Sequence, residues 1–198
     1  MPRDFSNESV ANFLIRAFRA GTLRLRGNIY YFSGFFAKGS SRKIGFSSSG
    51  KFVNSKRIFF SRNVSFGRAP RIECYLNPET NVTGTIIFGQ NTSFGDYFHA
   101  GSIEKISVGA NVLGGSNILL VDHNHGSPSK DIALKNGTPP RDRPLTTKGP
   151  IIISDNVWIG DSVIILGGVT IGEGAIIAAN TTVRADVPPH TIFSALKK

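Results

Sequence analysis

Aliphatic residues recur at every sixth position in the last third of the chain, and this spacing constrains the fold more than any other feature. From residue 153 the chain reads ISDNVW, IGDSVI, ILGGVT, IGEGAI and IAANTT, which aligns Ile153, Ile159, Ile165, Ile171, Ile177 and Val183. A helix of period 3.6 does not keep residues six apart on one face, and strand alternation alone does not explain such frequent turns. The repeat predicts a parallel β-solenoid, in which stacked coils bury one aliphatic column. The alternative is a β-sandwich of short strands.

The same spacing continues upstream with interruptions. It passes through Phe88, Phe94 and Ala100, shifts by two residues to Val108, Gly114 and Leu120, and leaves a fainter trace at Phe60, Phe66 and Ile72. Residues 124–150 break the pattern with a run rich in Gly, Pro and charge. Structureless segments of that length in compact domains are usually functional or disordered. We therefore predict an all-β parallel β-helix over residues 41–198, with an extruded loop at 124–150.

The N-terminal part of the chain has a different character. Residues 1–72 hold 14 Lys or Arg against two acids, whereas residues 73–198 hold nine against 11. Within residues 1–40, predicted to form a basic helix and cap segment, one helical stripe is apolar: Val10, Phe13, Leu14, Ala17 and Phe18. Two roles remain open for this short helical segment. It caps the open end of the solenoid, or it contacts an anionic membrane leaflet.

Composition excludes several classes of protein. One cysteine, Cys74, leaves no internal disulfide and fits a reducing compartment. No apolar run approaches the roughly 20 residues of a membrane-spanning helix, and the polar opening MPRDFSNESV does not resemble a secretory signal. The net charge of +10 is compatible with binding to nucleic acid, but the basic residues form no known recognition motif. We expect a cytoplasmic protein that does not bind nucleic acid.

Two of the four histidines lie together in DHNHG, residues 122–126, where an apolar run ends and the predicted loop begins. From the residues alone, the cluster is a metal site, a catalytic base or a polar turn. Histidine titrates near neutral pH and therefore suits proton removal from a weakly nucleophilic hydroxyl. Asp122 is placed either to orient the ring of His123 or to accept local backbone hydrogen bonds.

The hexapeptides, together with DHNHG, a loop and then NVWIG, resemble the left-handed parallel β-helix acyltransferases. The resemblance covers about residues 58–193 and is close to the bacterial O-acetyltransferases that modify sugars of lipopolysaccharide O-antigen, capsule or exopolysaccharide. It implies left-handed coils, a homotrimer with active sites between neighbouring chains, and acetyl-CoA as the acyl donor. The implied partner is a sugar or glycan acceptor, either free or lipid-linked.

The resemblance also implies roles for individual residues. His123 is the general base, Asp122 its neighbour, and Trp158 a wall of the acyl pocket. The implied substrate-binding residues are His125, His99, Asp96 and Tyr97. The implied coenzyme A contacts are Gly160, Asp161, Ala178, Ala179 and Arg184. The family's AGVPAK-like end is replaced here by HTIFSALKK, in which Lys197 and Lys198 are candidates for phosphate contacts.

Two alternatives stay open beside sugar O-acetylation. The first is acetyl transfer to another small acceptor, such as an amino sugar or a xenobiotic. The second is a metal protein like the γ-type carbonic anhydrases, which share the solenoid but use histidines five apart. The spacing of two between His123 and His125 speaks against that site, and we predict no metal.

Overall fold

The computed structural model describes the backbone of residues 24–26, 29–31 and 44–46, and residues 50–126 and 137–194 in full. Within these ranges the chain forms 24 short β-strands and two 3-10 helices, Ser55–Arg57 and Pro140–Asp142, and no α-helix. No helix in the described part is long and apolar enough to cross a membrane. The helix predicted from the apolar stripe between Val10 and Phe18, its membrane contact and Lys197 lie outside the described residues. The membrane contact stays a prediction, which co-sedimentation of the full chain with anionic vesicles would test.

The strands are two to four residues long, as expected when a corner follows every few residues. In chain order they are β1 Arg24–Arg26, β2 Ile29–Tyr31, β3 Ile44–Phe46, β4 Lys51–Val53, β5 Ile58–Phe60, β6 Val64–Phe66, β7 Arg71–Cys74, β8 Leu76–Asn77, β9 Val82–Thr83, β10 Thr85–Phe88, β11 Ser93–Phe94, β12 His99–Ser102, β13 Lys105–Val108, β14 Leu113–Gly114, β15 Leu119–Val121, β16 His123–His125, β17 Leu145–Thr147, β18 Ile151–Ile153, β19 Trp158–Ile159, β20 Ile164–Leu166, β21 Val169–Ile171, β22 Ile176–Ile177, β23 Thr182–Val183 and β24 Ile192–Phe193.

The strands stack into the three faces of a parallel β-helix. Face A consists of β3, β6, β11, β14, β19, β22 and β24, and β1 and β2 extend it with antiparallel pairing. Face B consists of β4, β7, β12, β15, β20 and β23, and face C of β5, β10, β13, β18 and β21. The chain visits A, B and C in turn, so each coil adds one parallel strand to every face. The predicted all-β solenoid is confirmed.

The interior is a continuous apolar column, as the six-residue spacing predicts. The aligned residues from Ile153 to Val183 are each at most 1% exposed. The N-terminal coils fill the same column with aromatic rings, in a stacked cluster of Phe60, Phe66, Phe88, Phe94 and Phe98. Each such side chain stabilises the fold by about 1.5–3 kcal/mol relative to exposure.

One corner, between faces C and A, is held by a ladder of asparagines. Asn63, Asn91, Asn111 and Asn156 all have φ near +60°, a backbone conformation that asparagine tolerates better than most residues. Their side chains bond from coil to coil at 3.0–3.2 Å, and Asn156 continues the ladder to Glu173. The ladder fixes the vertical register of the coils and hence the positions of residues on the other faces.

Both insertions leave the prism at the corner between faces B and C. The hairpin β8–β9 follows β7, and the antiparallel ribbon β16–β17 follows β15. The predicted loop 124–150 therefore begins and ends in paired strands, and residues 127–136 lie outside the described part. Because His123 opens the ribbon, this corner carries the catalytic candidate.

Candidate active site

His123 and Asp122 form a carboxylate–imidazole pair at the corner between faces B and C. The His123 ring is 11% exposed, and its Nδ1 lies 3.2 Å from Asp122 Oδ1. An ionised carboxylate only accepts hydrogen bonds, so this pairing assigns the ring proton to Nδ1. Nε2 then carries the free lone pair, as a general base requires.

Asp122 serves the fold and the histidine at the same time. Its carboxylate accepts hydrogen bonds from Ser102 Oγ at 2.6 Å and from the backbone N–H groups of Ile103 and Glu104 at 2.8 and 3.1 Å. Burial raises the pKa of Asp122, but these bonds and the His123 contact outweigh it and hold that pKa below its ordinary value. Both roles considered from the sequence are therefore present in the geometry.

Gly101 leaves the space in which the two histidines meet. A Cβ at this position would lie 3.2 Å from His123 Cε1 and 4.0 Å from its Nε2, and 3.9 Å from His99 Nε2. The missing side chain thus opens a cleft with His123 on one side and His99 on the other. His99, predicted to bind substrate, is brought to the catalytic candidate.

Sequence reasoning missed a buried carboxylate beside this cleft. Glu73 is 1% exposed, and its oxygens lie 2.8 Å from Lys51 Nζ, 2.6 Å from Arg71 Nε and 3.4 Å from His99 Nε2. The Tyr75 hydroxyl lies close enough to this carboxylate for each group to shift the other's pKa, and the Tyr75 ring packs edge-on against His123 with 5.9 Å between centroids. A signal was available: Glu73 is an isolated acid within an otherwise basic, strand-forming stretch.

The charges of this cluster are set by mutual contact. Burial raises the pKa of Glu73, but its cationic neighbours and the Tyr75 hydroxyl outweigh that effect and hold the pKa below its ordinary value. Burial lowers the pKa of His99 and the Arg71 charge lowers it further, and these effects outweigh the opposing effect of Glu73. His99 is therefore neutral at neutral pH, beside an ionised carboxylate.

Cys74 does not supply a nucleophile for this site. The side chain is fully buried within the core, and burial raises the pKa of its thiol to about 12. Only the thiolate attacks an acyl group efficiently. The chemistry of the cleft therefore depends on its imidazoles rather than on a covalent cysteine intermediate.

Three predicted substrate-binding residues lie away from the cleft or open to solvent. Asp96 and Tyr97 occupy the corner between faces A and B, at the opposite edge of face B from His123. Asp96 there accepts hydrogen bonds from the backbone and side chain of Arg68, each at 2.7 Å. His125 is exposed on the ribbon, next to Leu145 of β17. Their roles in binding stay predictions.

Trp158 is not brought to His123 within one chain. It projects from face A, 53% exposed, in a ladder with Leu113 before it and Ile176 and Ile192 after it. His123 belongs to a different corner of the prism. A shared acyl pocket therefore requires face A of a second chain.

Four of the predicted coenzyme A contacts are stacked at the corner between faces A and B. A Cβ on Gly160 would lie 2.6 Å from the backbone nitrogen of Ala179, so glycine permits the close approach of the two coils. Asp161 Oδ1 accepts the backbone N–H of Ser116 at 2.6 Å, which is a structural role. Ala179 and Arg184 are exposed. These positions remain candidates for the donor site.

Among the described residues, no group of three or more His, Cys, Asp or Glu side chains is placed to hold a metal ion. The two histidines of the cleft each contact a carboxylate, Glu73 for His99 and Asp122 for His123. The arrangement supports proton transfer by a carboxylate-oriented imidazole.

A parallel β-helix with a histidine–aspartate pair at a coil corner defines a class, the hexapeptide-repeat acyltransferases. Residues 150–185 match the family model described as bacterial transferase hexapeptide, six repeats. The chain is 30% identical over 141 residues to WbbJ of Escherichia coli K12, provisionally named a lipopolysaccharide biosynthesis O-acetyl transferase, covering 71% of this chain and 69% of WbbJ. The chain belongs to this family and is an acyltransferase, and the predicted left-handed coils are confirmed.

Two further relatives agree with the class. A provisionally named acetyltransferase of Schizosaccharomyces pombe is 36% identical over 121 residues, which is 58% of this chain and 54% of that protein. Among solved structures, a maltose O-acetyltransferase from Clostridium difficile superposes with a TM-score of 0.50 and 27% identity, covering 76% of this chain. The chain spans 65% of that enzyme's length.

Proposed function

We propose that the protein transfers an acetyl group from acetyl-CoA to a hydroxyl of a bacterial surface polysaccharide, or of its sugar precursor. The single observation that carries the proposal is the His123–Asp122 pair, with Nδ1 held by a buried carboxylate and Nε2 on the side of Gly101, 4.0 Å from where a Cβ on that residue would lie. The names of WbbJ and of the maltose enzyme, both O-acetyltransferases, support acetyl as the group and a sugar hydroxyl as the target.

The proposed reaction is a direct transfer in which both substrates are bound together. Nε2 of His123 takes the proton of the sugar hydroxyl as its oxygen attacks the thioester carbonyl. The tetrahedral intermediate then collapses, the C–S bond breaks, and the imidazolium returns the proton to the departing thiolate. Asp122 stabilises the transient imidazolium and keeps the proton on Nδ1.

A homotrimer is the assembly that this function needs. The apolar ladder of face A has a counterpart on the outer side of face B, where Leu119, Val121, Ile164 and Leu166 are half-buried. Contact between two different faces is heterologous and closes into a ring when the rotation permits. In such a ring Trp158 approaches the His123 corner of a neighbour. Light scattering should then report three chains of 21.4 kDa; a monomer would contradict the assembly.

A small-molecule acceptor is the second candidate, favoured by one comparison. A protein named a probable macrolide acetyltransferase, from Lysinibacillus sphaericus, is 52% identical over 50 residues. That match covers 25% of this chain, whereas the WbbJ match covers 71%. The broader match favours the glycan acceptor.

The test is acetyl transfer by the purified full chain. Acetyl-CoA is supplied with a panel of neutral sugars, amino sugars, oligosaccharides and a macrolide, and thiol release is followed alongside the mass of each product. We expect a gain of one acetyl group on a glycan hydroxyl, removable by mild alkali. A reaction without acceptor measures hydrolysis. Alkali-stable acetylation of an amine, or macrolide acetylation alone, would contradict the proposed acceptor.

A further inference from the structure

Glu73 occupies a position at which a β-helix normally leaves a side chain in water. It points outward from face B, in register with Val53 on the coil before and Gly101 on the coil after. Its carboxylate is nevertheless 1% exposed, because neighbouring side chains cover it. Burying a charged carboxylate is costly unless it is paired with opposite charge. At this outward-facing position the side chain could have stayed in water, so its burial among paired cations requires an explanation.

Glu73 contacts one wall of the Gly101 cleft, His99, and lies beside Tyr75, which packs against the other wall, His123. On one side, His99 Nε2 lies 3.4 Å from Glu73 Oε2. On the other, the Tyr75 hydroxyl interacts electrostatically with the carboxylate, while the Tyr75 ring packs at 75° against the His123 ring, with 5.9 Å between centroids. One carboxylate thus neighbours His99 directly and His123 through the Tyr75 ring.

We propose that Glu73 is a positioning residue that holds His99 and Tyr75 against His123 and so shapes the sugar-acceptor side of the cleft. This inference rests on the proposed function. In this proposal the His99 proton is on Nε2, which lies 3.4 Å from a carboxylate that can only accept, and Nδ1 is left as a hydrogen-bond acceptor for a donor such as a sugar hydroxyl. Tyr75 limits the rotation of the His123 ring, so that Nε2 stays directed at the cleft.

The surrounding charges are arranged for this role. Lys51 on β4 and Arg71 on β7 neutralise Glu73, while His99 on β12 contributes no charge. The Asp122–His123 pair closes the group at the end of β15. Substituting Glu73 by glutamine keeps its shape but removes the charge, and the new amide can donate toward His99 as well as accept from it.

The first measurement compares E73Q with E173Q in the full-length protein. Glu173 is exposed at the corner between faces C and A, where it only accepts a bond from Asn156. For E73Q we expect the KM for the sugar acceptor to rise about tenfold or more. Displacing groups in an active site by about 1 Å can lower activity by up to about 10²-fold. The KM for acetyl-CoA should stay unchanged, and E173Q should match the wild type. Equal changes in both KM values, or none, would overturn the proposal.

The second measurement does not depend on turnover. Nitrogen-15 NMR of the imidazole rings reports which nitrogen carries the proton, with His99→Gln assigning the His99 signals. We expect Nε2–H in the wild type and a changed proton distribution in E73Q only. If the wild type transfers no acetyl group, the proposed function fails and the NMR result alone decides. An unchanged His99 spectrum in E73Q would then overturn the positioning role.

Discussion

His123→Ala is expected to lower kcat for acetyl transfer by about 10²- to 10⁴-fold, the usual contribution of a positioned general base. Alanine removes the nitrogen that faces the cleft but leaves the backbone pairing of β16 with β17 in place. The KM for acetyl-CoA should change little, since four of the candidate donor contacts lie at the corner between faces A and B. Steady-state kinetics, with direct titration of coenzyme A by calorimetry, measures both effects.

His125→Ala separates the base from its neighbour. This histidine lies two residues further along the same strand but is exposed and contacts no buried carboxylate among the described residues. The His125→Ala variant should retain far more acetyl-transfer activity than His123→Ala. The two variants and the wild type must have the same assembly mass and melting temperature for the comparison to hold. An equal loss in both, or full activity in His123→Ala, would remove His123 from its assigned role.

The six-residue spacing predicts the fold so well because each coil repeats one physical requirement. Ile159 and Ile165 are buried for the same reason, as inward residues of successive faces, and no contact distant in sequence is needed to place them. The phenylalanine positions near residues 60 and 88 follow the same rule, although an insertion separates their coils. A local pattern therefore determines which side chains form the core.

The candidate site follows a different rule, since it depends on which residues become neighbours across coils. Glu73 lies beside Gly101, 28 residues later, whereas Gly101 lies beside Val121, 20 residues later. The hairpin β8–β9 accounts for the eight additional residues, and no spacing in the sequence predicts its length. DHNHG could thus be singled out as a candidate site from its residues, but the position of Glu73 beside it could not be predicted. Trp158 shows the same limit, because its face is evident only once the coils are stacked.

Asp122→Asn is expected to impair stability and activity together. The carboxylate accepts from four donors, and an amide has one oxygen with which to replace two. Its NH₂ group, itself a donor, must therefore point at another donor, either a backbone N–H or the Nδ1–H of His123. Leaving such buried donors unpaired costs about 1–3 kcal/mol each. The wrong tautomer of His123 would lower kcat by about 10³-fold or more, as in other oriented histidines.

The dependence of stability on pH tests whether the loss of the Asp122 charge is what destabilises Asp122→Asn. Because the folded pKa of Asp122 lies below its ordinary value of 3.8, its stabilisation is present above that value and is lost as pH falls through the folded pKa. The gap in unfolding free energy between wild type and Asp122→Asn should therefore be widest near pH 7 and shrink below about pH 4. Denaturant titrations across this range measure it. Asp155→Asn removes an exposed carboxylate that accepts one corner N–H, from Ala110, and should cost less at every pH. A gap that stays constant into acid would mean that the charge of Asp122 does not stabilise the fold.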